Sequence, residues 1–398
     1  MQGQRSSRKS KVKGTNKKLI ALTMAGTLAG LGARSAEACT SLIFKAEDGT
    51  RIYARTMEWG ASDLKSEMVL VPRAMSFSSA LGAGKTGAAW TNQYGFVGVN
   101  AAGLAYATDG MNEAGLTVGA LFFPGFAKYQ ELKADEQVTT VSNVDLVNYI
   151  LGNFKTVDEV RQAMPTIRVV RNADIEKEFG TPLPLHHIVS DATGASIVIE
   201  YIDGQLSVTD NKGGAMTNSP GYDWHLLNLR NYANLQPQAA APRTIDGVSL
   251  APFGAGSGML GLPGDFTPPS RFVRAVAFVN TMMPAKNAAE AVNAASVMLN
   301  NFDIPKGLVR EGASPEDFHL GYTQGSVIAD MSHRVYYYWT MSTAGCARST
   351  SRSWTSRVRP SAFPLDKVRT EDILDRSNDF SRQTGLNDYT AISSGGSE

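Results

Sequence analysis

A cysteine that becomes the first residue of a chain carries a thiol nucleophile and a free α-amino base on one residue, and Cys39 stands where a cleaved leader would leave it. The residues before it, Ala36-Glu37-Ala38, have the small-residue pattern that marks a secretory cleavage site. An unperturbed thiol has a pKa of about 8.5, so at neutral pH only a few per cent is thiolate, and attack on a carbonyl needs a group to take the proton. An α-amino group, at about 7.7–8.0, is matched to that task. Two other fates of Cys39 stay open at this stage. Lipidation would make it a lipoprotein anchor, but such a signal normally places Leu and a small residue where Ala36 and Glu37 stand. A disulfide with Cys346, the other cysteine of the chain, would suit an exported protein, but Cys346 lies in a Ser/Arg-rich stretch, 343–359, that does not look like core. A guanidinium beside the sulfur would stabilise the thiolate. Arg55 is the nearest candidate if 51–57 pairs with 40–45 through the Asp48-Gly49 turn; an isolated arginine otherwise reads as a solvated surface charge.

The segments that must position these groups begin after the leader. Residues 1–38 open with Arg5, Arg8, Lys9, Lys11, Lys13, Lys17 and Lys18, continue with the apolar run 19–33, and end at the alanine pattern. That run is short against the roughly 20 residues a bilayer span needs, so the reading is a cleaved signal peptide, a periplasmic or secreted protein and no stable membrane insertion afterwards. The leader holds eight of the 38 Lys+Arg and one of the 37 Asp+Glu, leaving 30 basic against 36 acidic groups, a net charge of −6. That balance argues against nucleic acid as a partner. No linker or repeat divides 39–398, which reads as one domain.

Short runs rich in β-branched and aromatic residues, bounded by turn formers, predict strands at 40–45, 51–57, 67–72, 95–100, 104–108 and 116–123. Apolar residues at three- and four-residue spacing predict helices at 144–154, with Ser142 as N-cap, and at 157–164. Strands at 185–190 and 195–202, helices at 271–283 and 288–299, and strands at 325–330 and 334–341 follow. This order predicts an α+β chain of two antiparallel sheets between helical layers.

Three motifs compete with Cys39. Ser62-Asp63-Leu64-Lys65 and Lys85-Thr86-Gly87 match two marks of penicillin-recognising serine enzymes, but Lys85 comes only 20 positions after Lys65, and Ser190-Asp191 continues with Ala192 rather than completing an S-D-N element. Gly256-Ser257-Gly258-Met259-Leu260-Gly261 fits a dinucleotide fingerprint, yet no proper strand precedes it and Pro263 obstructs the helix that should follow. His186 and His187 face opposite ways on a strand and cannot share a metal. No metal and no cofactor are expected.

The blocks Cys39-Thr40-Ser41, Arg55-Thr56-Met57-Glu58-Trp59, Asp109-Gly110-Met111-Asn112-Glu113-Ala114-Gly115-Leu116, Thr217-Asn218-Ser219-Pro220 with Asp223-Trp224-His225, and 261–272 (GLPGDFTPPSRF) resemble the choloylglycine hydrolase family, which includes conjugated bile acid hydrolases and penicillin V acylases. The resemblance implies a four-layer αββα N-terminal-nucleophile hydrolase that cleaves a linear amide bond of a small molecule. It implies Cys39 as nucleophile, Arg55 beside its sulfur, Asn218 as a contributor to the oxyanion site and Arg271 as a supporting arginine. Arg271 would otherwise sit in the first turn of a helix capped by Ser270, where a positive charge is mildly unfavourable.

Two positions depart from the family. Glu58 stands where an aspartate usually holds the α-amino group. It lies three residues from Arg55, so a bend near Trp59-Gly60 is expected to bring both to one site. Phe122 stands where the bile-salt enzymes usually carry an asparagine, so a donor there must be a backbone N–H. Met57, Trp59, Phe122 and Phe123 are candidates to line an apolar acyl pocket. Bile salts lead the substrate expectation, with penicillin V and acyl-homoserine lactones as alternatives. The segment from Asp223 and the roughly 35 residues after it resembles the extension through which family members form homotetramers.

Overall fold

Asp48-Gly49 closes a tight hairpin: Gly49 has φ +96°, and the Asp48 carboxylate accepts the Thr50 N–H at 2.9 Å. The hairpin sets the register Cys39↔Met57, Ser41↔Arg55 and Lys45↔Arg51 between strands Cys39–Lys45 and Arg51–Trp59. This is the pairing that the Arg55 reading requires. The computed structural model describes residues 38–340 apart from 61, 105 and 313, with the backbone of strands Cys346–Thr350, Ser361–Pro364 and Ile373–Asp375. The expected leader, Ala38 excepted, lies outside the described residues, as does the 343–359 stretch apart from the backbone at Cys346–Thr350.

The first sheet runs Ala215–Met216, Cys39–Lys45, Arg51–Trp59, His319–Asp330, Val335–Thr340, Cys346–Thr350 and Ile373–Asp375, with Val309–Glu311 beside His319–Asp330. The second runs Gln205–Asp210, Ser196–Ile202, Leu185–Ser190, Thr117–Phe122, Ala107–Asn112, Phe96–Asn100, Glu67–Val71 and Ser361–Pro364. Neighbours are antiparallel, except that Cys346–Thr350 and Ile373–Asp375 pair in parallel. Period-two alternation gives the central strands, such as Arg51–Trp59 and Thr117–Phe122, two buried faces. Tyr53, Val97, Met111, Leu121 and Val327 pack into the core that also holds Leu42 and Ile52 under Phe272, Ala275 and Leu299 of helices Pro268–Thr281 and Ala288–Leu299. On the far side, Val118, Val189 and Ile199 pack with Leu146, Ile150 and Val160 of helices Leu146–Asn153 and Val157–Ala163. Two antiparallel sheets thus lie between helical layers.

Several local expectations shift. The strand expected at 104–108 runs Ala107–Asn112. Ser142 ends a strand, and Asp145 precedes the first helix without a side-chain cap bond. The helix expected from Arg271 starts at Pro268 with Thr267 before it, because proline suits a first turn that needs no N–H donor. Arg271 is therefore its fourth residue, and the Ser270 hydroxyl bonds Asp265 instead, at 2.6 Å. Ser62 to Lys65 form loop rather than a helix start, and Lys85-Thr86-Gly87 opens a strand of the hairpin Ser76–Gly82/Lys85–Thr91, which sequence periodicity did not reveal.

Candidate active site

Cys39 is a buried free thiol at the start of its strand. Arg55 projects from the adjacent strand, and its Nη2 lies 3.4 Å from the sulfur. The guanidinium is held from three further directions. It donates to the carbonyls of Thr108 (2.9 Å) and Ala120 (2.5 Å) and to Asp109 Oδ2 (3.2 Å). Asp109 in turn accepts the hydroxyls of Tyr53 and Tyr336, the latter at 2.7 Å. Burial works against the charge on Arg55, but the neighbouring Cys39, Tyr53 and Asp109 outweigh it and hold the guanidinium above its ordinary range. This buried cluster fits only because residue 119 is glycine: a Cβ there would come within 2.2 Å of the Tyr53 hydroxyl and 2.8 Å of Asp109.

Asn218 is the junction on the other side. Its Oδ1 accepts the Cys39 backbone N–H at 2.8 Å and Arg271 Nη2 at 2.7 Å, and its Nδ2 donates to the Phe122 carbonyl at 2.8 Å. Arg271 is fully buried and also holds Cys39 O, Thr40 Oγ1 and Phe266 O. Burial lowers its guanidinium to about 10, so it stays charged at neutral pH. Two imidazoles fix the backbone carrying Asn218. His186 Nε2 meets the Thr217 carbonyl at 2.9 Å and His225 Nε2 meets the Asn218 carbonyl at 3.0 Å. Burial pushes His225 down to about 4, so it is neutral at ambient pH, and the nitrogen facing the carbonyl must carry its proton. His187, on the other face of the strand, is buried and has no side-chain hydrogen bond among the described residues.

The sulfur and Arg55 border a cleft enclosing about 800 Å³ of empty space, part of it open to solvent. Met57, Trp59 and Phe122 line it with Leu64, Leu104, Tyr106, Val144, Ile175, Phe179 and Leu183. Trp59 makes edge-on contacts with both Phe122 and Phe179. Phe123 lies elsewhere: alternation turns it away from Phe122, and it stacks on His186 at 4.1 Å between ring centres. The Phe123 N–H donates to Pro184 O, so the Phe122↔Leu185 pair is of the type that does not exchange bonds. The Phe122 N–H therefore points away from Leu185, toward the gap that opens where pairing with Ala107–Asn112 stops at Gly119. Arg55 reaches into the same gap to bond Ala120 O.

Residues 39–346 match the family model of linear amide C–N hydrolases of the choloylglycine hydrolase family. The chain belongs to the choloylglycine hydrolase family. It is 33% identical over 310 residues to a bile salt hydrolase/transferase of Clostridium perfringens, covering 76% of this chain and 89% of that one. It is 28% identical to a penicillin V acylase of Pectobacterium atrosepticum, over 80% of this chain and 81% of that one. The solved structure of a conjugated bile acid hydrolase variant from Clostridium perfringens superposes with TM-score 0.69 at 27% identity, covering 84% of this chain and 98% of the other. Membership makes the protein a linear amide hydrolase with the αββα arrangement of its relatives.

In this choloylglycine hydrolase, Glu58 does not reach the site through a bend. The strand runs regularly to Trp59, and alternation sets Glu58 on the side of Thr56 and Arg271, opposite Arg55 and Met57. Glu58 Oε1 accepts the Thr323 hydroxyl at 3.0 Å, while Oε2 is buried and has no hydrogen-bond partner among the described residues. Burial raises its carboxyl from 4.5 to about 7, against the pull of Arg271, Thr56 and Thr323. With Ala38 still attached, the folded chain thus holds a proton that the unfolded chain releases, so stability falls as pH rises from about 4.5 to about 7. The loss is on the order of 3 kcal/mol at most. Glu58→Gln in the uncleaved chain should flatten this decline in a melting-temperature series from pH 4.5 to 7.5; an unchanged slope would assign the decline to other groups.

Asp109, Tyr53, Tyr336, His186 and His225 are the participants that sequence reasoning missed. Asp109 lay in a quoted motif, but nothing local tied it to Arg55. Among the described residues, no group of three or more His, Cys, Asp or Glu side chains could hold a metal ion, and no helix is long and apolar enough to cross a membrane.

Proposed function

We propose that removal of residues 1–38 makes Cys39 the N-terminal residue and that its thiol then hydrolyses the linear amide bond of a small molecule. The observation that carries this reading is the placement of Cys39 between Arg55 at its sulfur and Asn218 at its nitrogen. In the uncleaved chain that nitrogen is the amide of the Ala38–Cys39 bond. Once freed, it is an amine on the nucleophile's own residue, and the unpartnered Glu58 Oε2 is the acceptor we assign to it as an ammonium.

In the reaction, the amine takes the thiol proton and the sulfur attacks the substrate carbonyl. The oxyanion is stabilised by the second Nδ2 hydrogen of Asn218 and the Phe122 N–H, donors fixed before the charge develops. Collapse of the intermediate breaks the C–N bond, the ammonium protonates the leaving amine, and a thioester remains. Water, deprotonated by the same amine, releases the acid and restores the thiol.

For the substrate we propose a glycine- or taurine-conjugated bile salt. The apolar cleft and the names of several relatives support it. One observation favours penicillin V: the Trp59, Phe122 and Phe179 corner suits an aryl acyl group. We further propose export to the periplasm or beyond, and assembly as a homotetramer. The exposed Trp224, Leu227, Ile245, Val248, Phe253 and Leu260, on the segment that begins at Asp223 and the roughly 35 residues after His225, support assembly.

Intact mass and N-terminal sequencing of the exported protein test the first step; a retained leader or a lipid on Cys39 would sink the proposal. Turnover of glycocholate, taurocholate, penicillin V and an acyl-homoserine lactone, measured side by side, decides the substrate. We expect the bile salts to give the highest kcat/KM, and a higher value for any other amide would overturn that choice.

A further inference from the structure

Beside the nucleophile's hairpin, strand His319–Asp330 breaks its register. Thr323 faces Glu58 and Gly325 faces Met57, so Gln324 is the extra residue of a bulge. A bulge re-aims a side chain out of the strand's alternation, and Gln324 reaches the loop that leaves Trp59. Its Oε1 accepts the Leu64 N–H at 2.7 Å, and its Nε2 donates to the carbonyls of Trp59 at 3.1 Å and Ser62 at 2.8 Å. One side chain thus ties the end of the strand at Trp59 to Ser62 and Leu64. Trp59 and Leu64 both line the cleft, and Leu64 packs on the cluster of Trp59 and Phe122. On its other side Leu64 is tied by its carbonyl to the Ala102 N–H at 2.6 Å. Ser62 and Asp63 are exposed and bury no apolar anchor of their own.

We propose that Gln324 is a positioning residue for acyl-group discrimination: by holding Leu64 against Trp59 and Phe122 it makes the loop a fixed wall of the cleft. It touches neither the sulfur nor the oxyanion donors, so its effect falls on how substrates are held rather than on bond cleavage. A small aryl acyl group depends on the wall being closed. A rigid polycyclic one spans the cleft and presses the wall into place itself. This inference rests on reading the cleft as the acyl site.

The test uses the exported, processed enzyme with Gln324→Ala and Gln324→Glu. With three hydrogen bonds removed, Gln324→Ala should raise KM for penicillin V about tenfold and KM for glycocholate no more than about threefold. For both substrates kcat should stay within about twofold. Gln324→Glu keeps the acceptor for Leu64 and loses both donors, so it should fall between. Tryptic cleavage after Lys65, followed by mass, should be about tenfold faster in Gln324→Ala, a readout independent of turnover. Unchanged cleavage at Lys65, or an equal fall in kcat for both substrates, would overturn the proposal. If the parent enzyme hydrolyses neither substrate, the reading of the cleft fails, while the Lys65 readout still decides whether Gln324 holds the loop.

Discussion

Cys39→Ala will leave amide hydrolysis at least about 10⁴-fold below the parent enzyme while leaving the fold in place, because no other nucleophile among the described residues meets a base at this site. The fold should persist because the sulfur contributes one long contact to Arg55, whose guanidinium keeps Thr108 O, Asp109 and Ala120 O. Processing should also persist, since the alanines at 36 and 38 precede the substituted position. Cys39→Ser is the sharper variant. It preserves shape and the hydrogen bond from the residue-39 nitrogen to Asn218, but replaces the thiol by a hydroxyl, a far weaker acid that the α-amine cannot readily deprotonate. Its loss should be at least about 10³-fold. Initial rates with glycocholate, together with N-terminal sequencing of each variant, check this. Full activity in a correctly processed Cys39→Ser protein would refute the proposed nucleophile.

The contrast between legible and hidden parts of the site follows from chain distance. Cys39 and Arg55 could be paired from the sequence because one tight turn joins their strands, and so short a connection leaves little freedom of register. Asp109, which anchors Arg55, is 54 residues further on, and Tyr336 more than 200 beyond that. Each looks locally like an ordinary buried strand residue. Gln324 was invisible for a different reason: a bulge is a mismatch between two strands, and neither strand alone records it. The strand expected at 104–108 slipped because Leu104 and Tyr106 are apolar in order to line the cleft, not to pair in the sheet. At Glu58 the period-two argument was sound, since it put Glu58 and Arg55 on opposite faces. The bend invoked to reunite them was unnecessary, because Cys39 presents its sulfur to one face and its backbone to Arg271 on the other.

Asn218 is where these two faces meet, and its two side-chain ends can be separated by substitution. Asn218→Asp keeps an oxygen for the Cys39 nitrogen and for Arg271, but places a second oxygen 2.8 Å from the Phe122 carbonyl, where the amide now donates. Residue 218 then has no hydrogen to face an oxyanion, and the Phe122 N–H is the donor that remains. Asn218→Ala removes both ends and leaves buried Arg271 short of one acceptor, which should lower stability by roughly 1–3 kcal/mol. If Nδ2 is the oxyanion donor, kcat in Asn218→Asp should fall by about 10²–10³, the range typical for losing one such donor. Asn218→Ala should lose at least as much, with a lower melting temperature as well. If Asn218 serves only to anchor the Cys39 nitrogen, the aspartate variant should retain kcat within about tenfold and the alanine variant alone should fail. Stopped-assay kcat values for the two variants, set against their melting temperatures, distinguish the roles, because one acts on the transition state and the other on the position of the base.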